Sequence, residues 1–197
     1  MIEKKIIFSL SATAYFLIHG YAYAHTTADA PCLVSMFIMG NVDKALAARV
    51  ESWVQQSVGP VEKHASPKSK TPSSLEEVYA TIKESNGKNS MVTLVLAGGI
   101  SPHGDTHGLV SNRVAVIDVD MLKPADTSKE GWQEVFARRV EKESLAGVAY
   151  AFEMKACVFE RCALKPAETT DELDAKGRNL CPPCEVKLQA LLEGQKK

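Results

Sequence analysis

This chain has no surplus of charge: 23 Lys and Arg stand against 24 Asp and Glu in 197 residues. That balance excludes the basic stripe that nucleic acid demands and the polybasic cluster that holds a protein to an anionic membrane. Internal repeats and low-complexity tracts are also lacking. What remains is a length suited to one domain with at most a small appended subdomain, enough to bury a real core. Histidine is scarce, with five residues in all, and none follows His107. A long hydrophobic run is missing too. The apolar segment at residues 6–18 falls short of the roughly 20 residues a membrane span needs.

That segment sits in an informative place. Met1-Ile-Glu-Lys-Lys5 forms a basic lead, the apolar run follows, and Ala22-Tyr23-Ala24 offers small residues at both ends of a cleavable tripeptide. Residues 1–24 are thus predicted to be a signal peptide, leaving a mature domain of residues 25–197 in the periplasm or secreted, with no stable membrane span after cleavage. Asp29-Ala30-Pro31 before Cys32 lacks the aliphatic and small residues of a lipid attachment site.

Along the mature chain, the apolar run 33–39 predicts a buried strand closing at Gly40-Asn41. Asp43 is suited to cap a helix to about Val58, with Ala47, Val50 and Val54 at helical spacing. A weak strand is expected at 61–64 and a polar loop at 65–73. Ser74-Leu-Glu-Glu77 has the form of a capping box for a helix to about Glu84. The strongest strands are 91–97 and 113–119, rich in β-branched residues. The glycine-rich stretch 98–112 between them reads as a flap or wide hairpin. Residues 132–152 have the spacing of a helix buried on one stripe. Short helices are expected at 171–176 and 185–192. Strands alternating with helices make the fold α/β.

Four of the five cysteines cluster near the C-terminus: Cys157-Val-Phe-Glu-Arg-Cys162 and Cys181-Pro-Pro-Cys184. Two short bites of this kind supply the four soft ligands of tetrahedral zinc. In an oxidising compartment the same thiols can form two disulfides instead, and both readings stay open. A redox role for Cys181 and Cys184 is disfavoured, because no strand leads into them. Elsewhere, His103, Asp105 and His107 lie close together on the glycine-rich stretch and read as a polar turn rather than a preorganised metal site. Glu141 and Glu143 alternate with Arg138, Arg139 and Lys142, which predicts a solvated helix face.

These residues resemble the archaemetzincins, zinc metallopeptidases of the metzincin group. Cys157, Cys162 and the tail from Asp171 to Cys184 are similar to that family's cysteine pattern. Residues 139–145 resemble the start of its active-site helix. Residues 33–43 are similar to its first strand, and residues 112–122 to its edge-strand region. The family's helix reads His-Glu-x-x-His-x-x-Gly-x-x-His-Cys. Counted back from Cys157, its histidine positions hold Ala146, Tyr150 and Ala156, its glutamate position Gly147, and its glycine position Glu153. Leu164 takes the place of its Met-turn methionine. Histidines at i and i+4 share one helix face and hold zinc there, and the glutamate deprotonates a zinc-bound water. Alanine has no lone pair to donate, glycine has no base, and tyrosine is a weak ligand.

The resemblance therefore implies a small twisted mixed sheet with an antiparallel edge strand, flanked by helices. Residues 31–156 make up this α/β part, and residues 157–197 form a cysteine-stapled helical lobe. One structural zinc is expected on Cys157, Cys162, Cys181 and Cys184, with no catalytic residues. The implied function is an exported binding module without peptidase activity, engaging a peptide or protein along the edge strand. The alternative is a divergent active zinc peptidase with ligands from outside this helix, such as the stretch from His103 to His107.

Overall fold

The computed structural model describes residues 32–64, 75–85, 90–99 and 108–194. The expected signal peptide, the 65–73 loop, the capping residue Ser74 and the cluster from His103 to His107 lie outside these. Among the described residues no helix is long and apolar enough to cross a membrane.

Strand β1 (Val34–Gly40) leads into α1 (Lys44–Ser57), and β2 (Val61–His64) precedes α2 (Leu75–Ser85). Then come β3 (Val92–Gly98), β4 (Gly108–Ser111) and β5 (Val114–Asp118), followed by the long helix α3 (Trp132–Ala151). Two shorter helices, α4 (Thr170–Ala175) and α5 (Pro182–Gly194), complete the chain. The sheet order is β2-β1-β3-β5-β4. Its first four strands are parallel, and β4 pairs antiparallel with β5 at the edge.

Strand period sorts the core into two layers. Val34, Met36, Val92, Leu94, Leu96, Ala115 and Ile117 face α1, α3 and the C-terminal lobe. The alternate residues Phe37, Met39, Val95, Ala97, Val114 and Val116 face α2 through Val78 and Ile82. The connection from β1 to β2 runs one way across the sheet, and that from β2 to β3 runs back. Right-handed crossovers therefore place α1 and α2 on opposite faces.

Local chemistry sets the boundaries. The Asp43 carboxylate accepts from the Leu46 N–H (2.9 Å) and starts α1. Helix α4 begins with a complete capping box of Thr169 and Glu172, a signal present in the sequence itself. The glycine-rich stretch ends as a tight hairpin. Asn112 (φ 50°) and Arg113 (φ 64°) form its two-residue turn, whose double positive φ matches the twist of the flanking strands. The edge position thus belongs to β4, just ahead of residues 112–122, and β5 lies one strand inward.

Helix α3 departs from the single buried stripe expected of it. Twelve of its twenty residues are buried, because it is packed between the sheet and the C-terminal lobe. That lobe shares the main core through Ala163, Leu164, Leu173, Leu188 and Leu192.

Candidate metal centre and the adjoining cleft

The chain leaves α3 through a sharp reversal. Glu153 takes φ 64°, its N–H reaches the Tyr150 carbonyl (2.8 Å), and the Met154 N–H reaches that of Ala149 (3.1 Å). These two bonds are the Schellman pattern, whose left-handed residue is usually glycine. The turn delivers Cys157 into a loop closed by Cys157 N–H to Leu164 O and Cys162 N–H to Phe159 O, both 3.0 Å. The second cysteine pair is brought against it by Ala163 N–H to Asn179 O (2.8 Å). Gly177 permits this approach, since a Cβ there would lie 1.8 Å from the Arg161 carbonyl oxygen. Helix α5 begins at Pro182, earlier than expected, so Cys184 sits in its first turn.

The four sulfurs of Cys157, Cys162, Cys181 and Cys184 all lie within 4.8 Å of one another. Those of Cys157 and Cys181 are 3.7 Å apart. Zinc–thiolate bonds of about 2.3 Å in a tetrahedron put sulfurs roughly 3.8 Å apart, whereas a disulfide requires about 2.05 Å. Cys162 Sγ also accepts from the Cys181 N–H (3.4 Å). The Cys184 N–H holds the Cys181 thiol below its usual range, while burial pushes the Cys162 and Cys184 thiols up. A divalent cation supplies the charge that keeps such thiolates together. The group can hold one metal ion, and its donor set fits zinc. Cys32 stands apart on β1's approach, its thiol directed at the Val34 carbonyl (3.0 Å).

The expectation of a solvated face holds for Arg138, which is exposed and pairs with Glu134 (2.8 Å), but not for its neighbours. Glu141 is 0 % exposed, and Arg139 and Lys142 are buried. Glu141 accepts from Arg49 and Arg178, each at 2.8 Å, and Arg178 lies 3.7 Å over the Trp53 ring. Arg139 forks onto Asp174 (2.8 and 2.6 Å). Lys142 donates to the carbonyls of Leu173 and Asp174, both at 2.8 Å, and so satisfies the end of α4. Lys176 pairs with Glu143 (2.7 Å). Every one of these lobe partners lies beyond residue 170. The interleaved charges clamp the cysteine lobe to the middle of α3, residues 139–143.

The end of α3, from Leu145 to Ala151, carries no charged groups. Ala146 is buried in the main core. A Cβ on Gly147 would stand 3.0 Å from Ala115 Cβ and 3.2 Å from Ile117 Cδ1 of β5. Tyr150 donates its hydroxyl to the Leu164 carbonyl (3.0 Å), and burial raises its pKa to about 12. Ala156 is exposed on the segment leading to Cys157. Among the described residues, the cysteine quartet is the only group of three or more metal-type donors. Beside Tyr150, an open cleft of about 530 Å³ is lined by Val110, Ser111, Asn112, Arg113, Ala151 and Glu153. Its rim is the edge strand β4.

No protein-family model matches the chain. It is 30 % identical over 81 residues to an archaemetzincin of Thermococcus kodakarensis, a match covering 41 % of this chain and 44 % of that protein. A crystal structure of archaemetzincin from Methanopyrus kandleri aligns with a TM-score of 0.67 at 20 % identity, over 85 % of this chain and 99 % of the other. A zinc-dependent peptidase from Methanocorpusculum labreanum aligns with a TM-score of 0.60 at 17 % identity, covering 79 % and 99 %. The archaemetzincin of Archaeoglobus fulgidus, solved with malonate, gives 0.59 at 18 % identity, covering 78 % and 98 %. The chain thus has the archaemetzincin fold over most of its length, and sequence likeness to an archaemetzincin over 81 residues.

Proposed function

We propose that this protein is an exported archaemetzincin-fold module that binds a polypeptide along β4 and does not hydrolyse it. The observation that carries the reading is the end of α3, from Ala146 to Tyr150. Ala146 and Gly147 are packed into the core, and the Tyr150 hydroxyl is committed to Leu164. These are the positions to which the family's pattern assigns two metal ligands and the general base. Hydrolysis at that place needs a metal-bound water and a carboxylate to deprotonate it, and these side chains supply neither. The cysteine quartet is a closed four-donor set, which suits a structural zinc rather than one with an open position for water.

Binding has its own support. In a two-residue hairpin the strand-end pair exchanges both hydrogen bonds, so pairing of Ser111 with Val114 turns the Val110 N–H and C=O outward. An extended chain adds to such an edge through its backbone. The basic lead, apolar run and small-residue site of residues 1–24 support export.

The test is a peptide-library assay on the zinc-loaded chain, with and without a chelator. No cleavage is expected in either condition, and extended peptides should bind wild type but not Val110→Pro. Chelator-sensitive turnover would establish the active-peptidase alternative instead. N-terminal sequencing of the exported protein should start at His25.

A further inference from the structure

Four of the six large hydrophobic side chains exposed among the described residues belong to the cysteine lobe: Val158, Phe159, Val186 and Leu191. Val158 is 91 % and Phe159 54 % exposed, at the tip of the loop between Cys157 and Cys162. Phe159 looks across an open groove of about 870 Å³ to Pro182, Ala190 and Leu191 of α5. Lys155 and Lys187 also line it. Neither lysine pairs with another described residue, although nearby Lys165 is neutralised by Glu160 (3.0 Å).

We propose that this groove is a docking site for a partner polypeptide that presents a large apolar side chain flanked by acidic residues. The walls are preorganised. One is the loop closed at Cys157 and Cys162, the other is α5, and the quartet joins the two. A partner therefore buries its anchor against surfaces that lose little freedom on binding. Two unpaired lysines at the lip select acidic neighbours for that anchor and disfavour basic ones. The charge pattern also distinguishes the occupant from its rivals. A second copy docked groove to groove would bring four lysines together against only two Glu153 carboxylates. A bilayer is flat where this surface is concave, and the chain's formal charge of −1 gives no general attraction to anionic lipid. The groove touches the cleft beside β4 through Glu153, which lines both, yet docking in it requires no strand pairing.

The experiment pans random displayed peptides against the zinc-loaded full chain, then measures the enriched peptides by fluorescence anisotropy. Sequences carrying Leu, Phe or Trp beside Asp or Glu should be enriched. Their affinity should fall about tenfold or more in Phe159→Ser and in Leu191→Ser, with zinc content and thermal unfolding unchanged in at least one of the two. Combined Lys155→Glu and Lys187→Glu should weaken acidic peptides and favour basic ones, while Val110→Pro should leave binding intact. Loss in Val110→Pro alone would place the peptides on the edge strand and overturn the proposal. So would no enrichment, or enriched peptides indifferent to both apolar variants. Self-association in sedimentation, or binding to phosphatidylserine vesicles, that is lost in Phe159→Ser in place of peptide binding would assign the surface to a second copy or a membrane.

Discussion

Two neighbouring stretches, residues 146–156 and residues 157–184, differ completely, although the resemblance to archaemetzincins would assign metal ligands to both. The second brings four sulfurs within 4.8 Å of one another. The first offers small side chains to the core and one tyrosine tied to a backbone carbonyl. The contrast separates ligands that hold a fold from ligands that perform chemistry. The C-terminal lobe joins the main core through Ala163, Leu164, Leu173, Leu188 and Leu192, and a metal held by its four sulfurs would add a crosslink to the charged clamp on α3. Helix α3 needs no donor in order to pack. Groups placed for catalysis usually weaken a fold, whereas Ala146 and Gly147 pack into the core.

The strongest way to break this contrast is to remove the crosslink. Metal analysis should find one zinc per chain. Chelation, or Cys184→Ser, should lower the melting temperature by about 10 °C or more, read by calorimetry. An unchanged transition would leave the quartet without a structural role. Next in size is Gly147→Glu, which should destabilise by about 3 kcal/mol or more in urea denaturation, because a carboxylate would enter the apolar contact between α3 and β5. A well-folded Gly147→Glu protein would show that the helix has room for a carboxylate there.

A smaller loss tests the clamp. Arg178→Ala removes a bond to buried Glu141 and the stacking on Trp53, for about 1–2 kcal/mol at this half-exposed site. A double-mutant cycle with Glu141→Gln should show coupling between the two. Glu153→Gly should act in the opposite direction, stabilising by about 1 kcal/mol, since a left-handed residue with a Cβ is strained and glycine is not. The last effect is on titration. Tyr150 should ionise at about 12, above an ordinary tyrosine. The folded state then holds a proton that the unfolded state has released, so this group's contribution to stability declines as pH rises from about 10 towards 12. Ultraviolet difference spectra of wild type and Tyr150→Phe would isolate it.

The strands, α1 and α3 were legible from apolar spacing, and the cysteine quartet from its two short bites, because both signals are local. The capping box at Thr169 and Glu172 was equally legible and went unread. The charged run on α3 was misleading for a physical reason. Alternating Arg, Glu and Lys on a helix looks the same whether water or a distant partner satisfies it. Here the partners are Asp174, Lys176 and Arg178, more than thirty positions away. Strand β4 was hidden because a short edge strand in a glycine-rich stretch carries little periodicity of its own.

Residue spacing was therefore sufficient for the α/β class, the order of the major elements and the identity of the four sulfur donors. Each of these depends on chain geometry over a few turns or strand repeats. Folding alone determined that Arg139, Glu141 and Lys142 of α3 are buried, that Gly147 faces β5, that Tyr150 is occupied by Leu164, and that Phe159 stands over an open groove. Those facts are contacts between segments remote in the chain, and only packing brings such segments together.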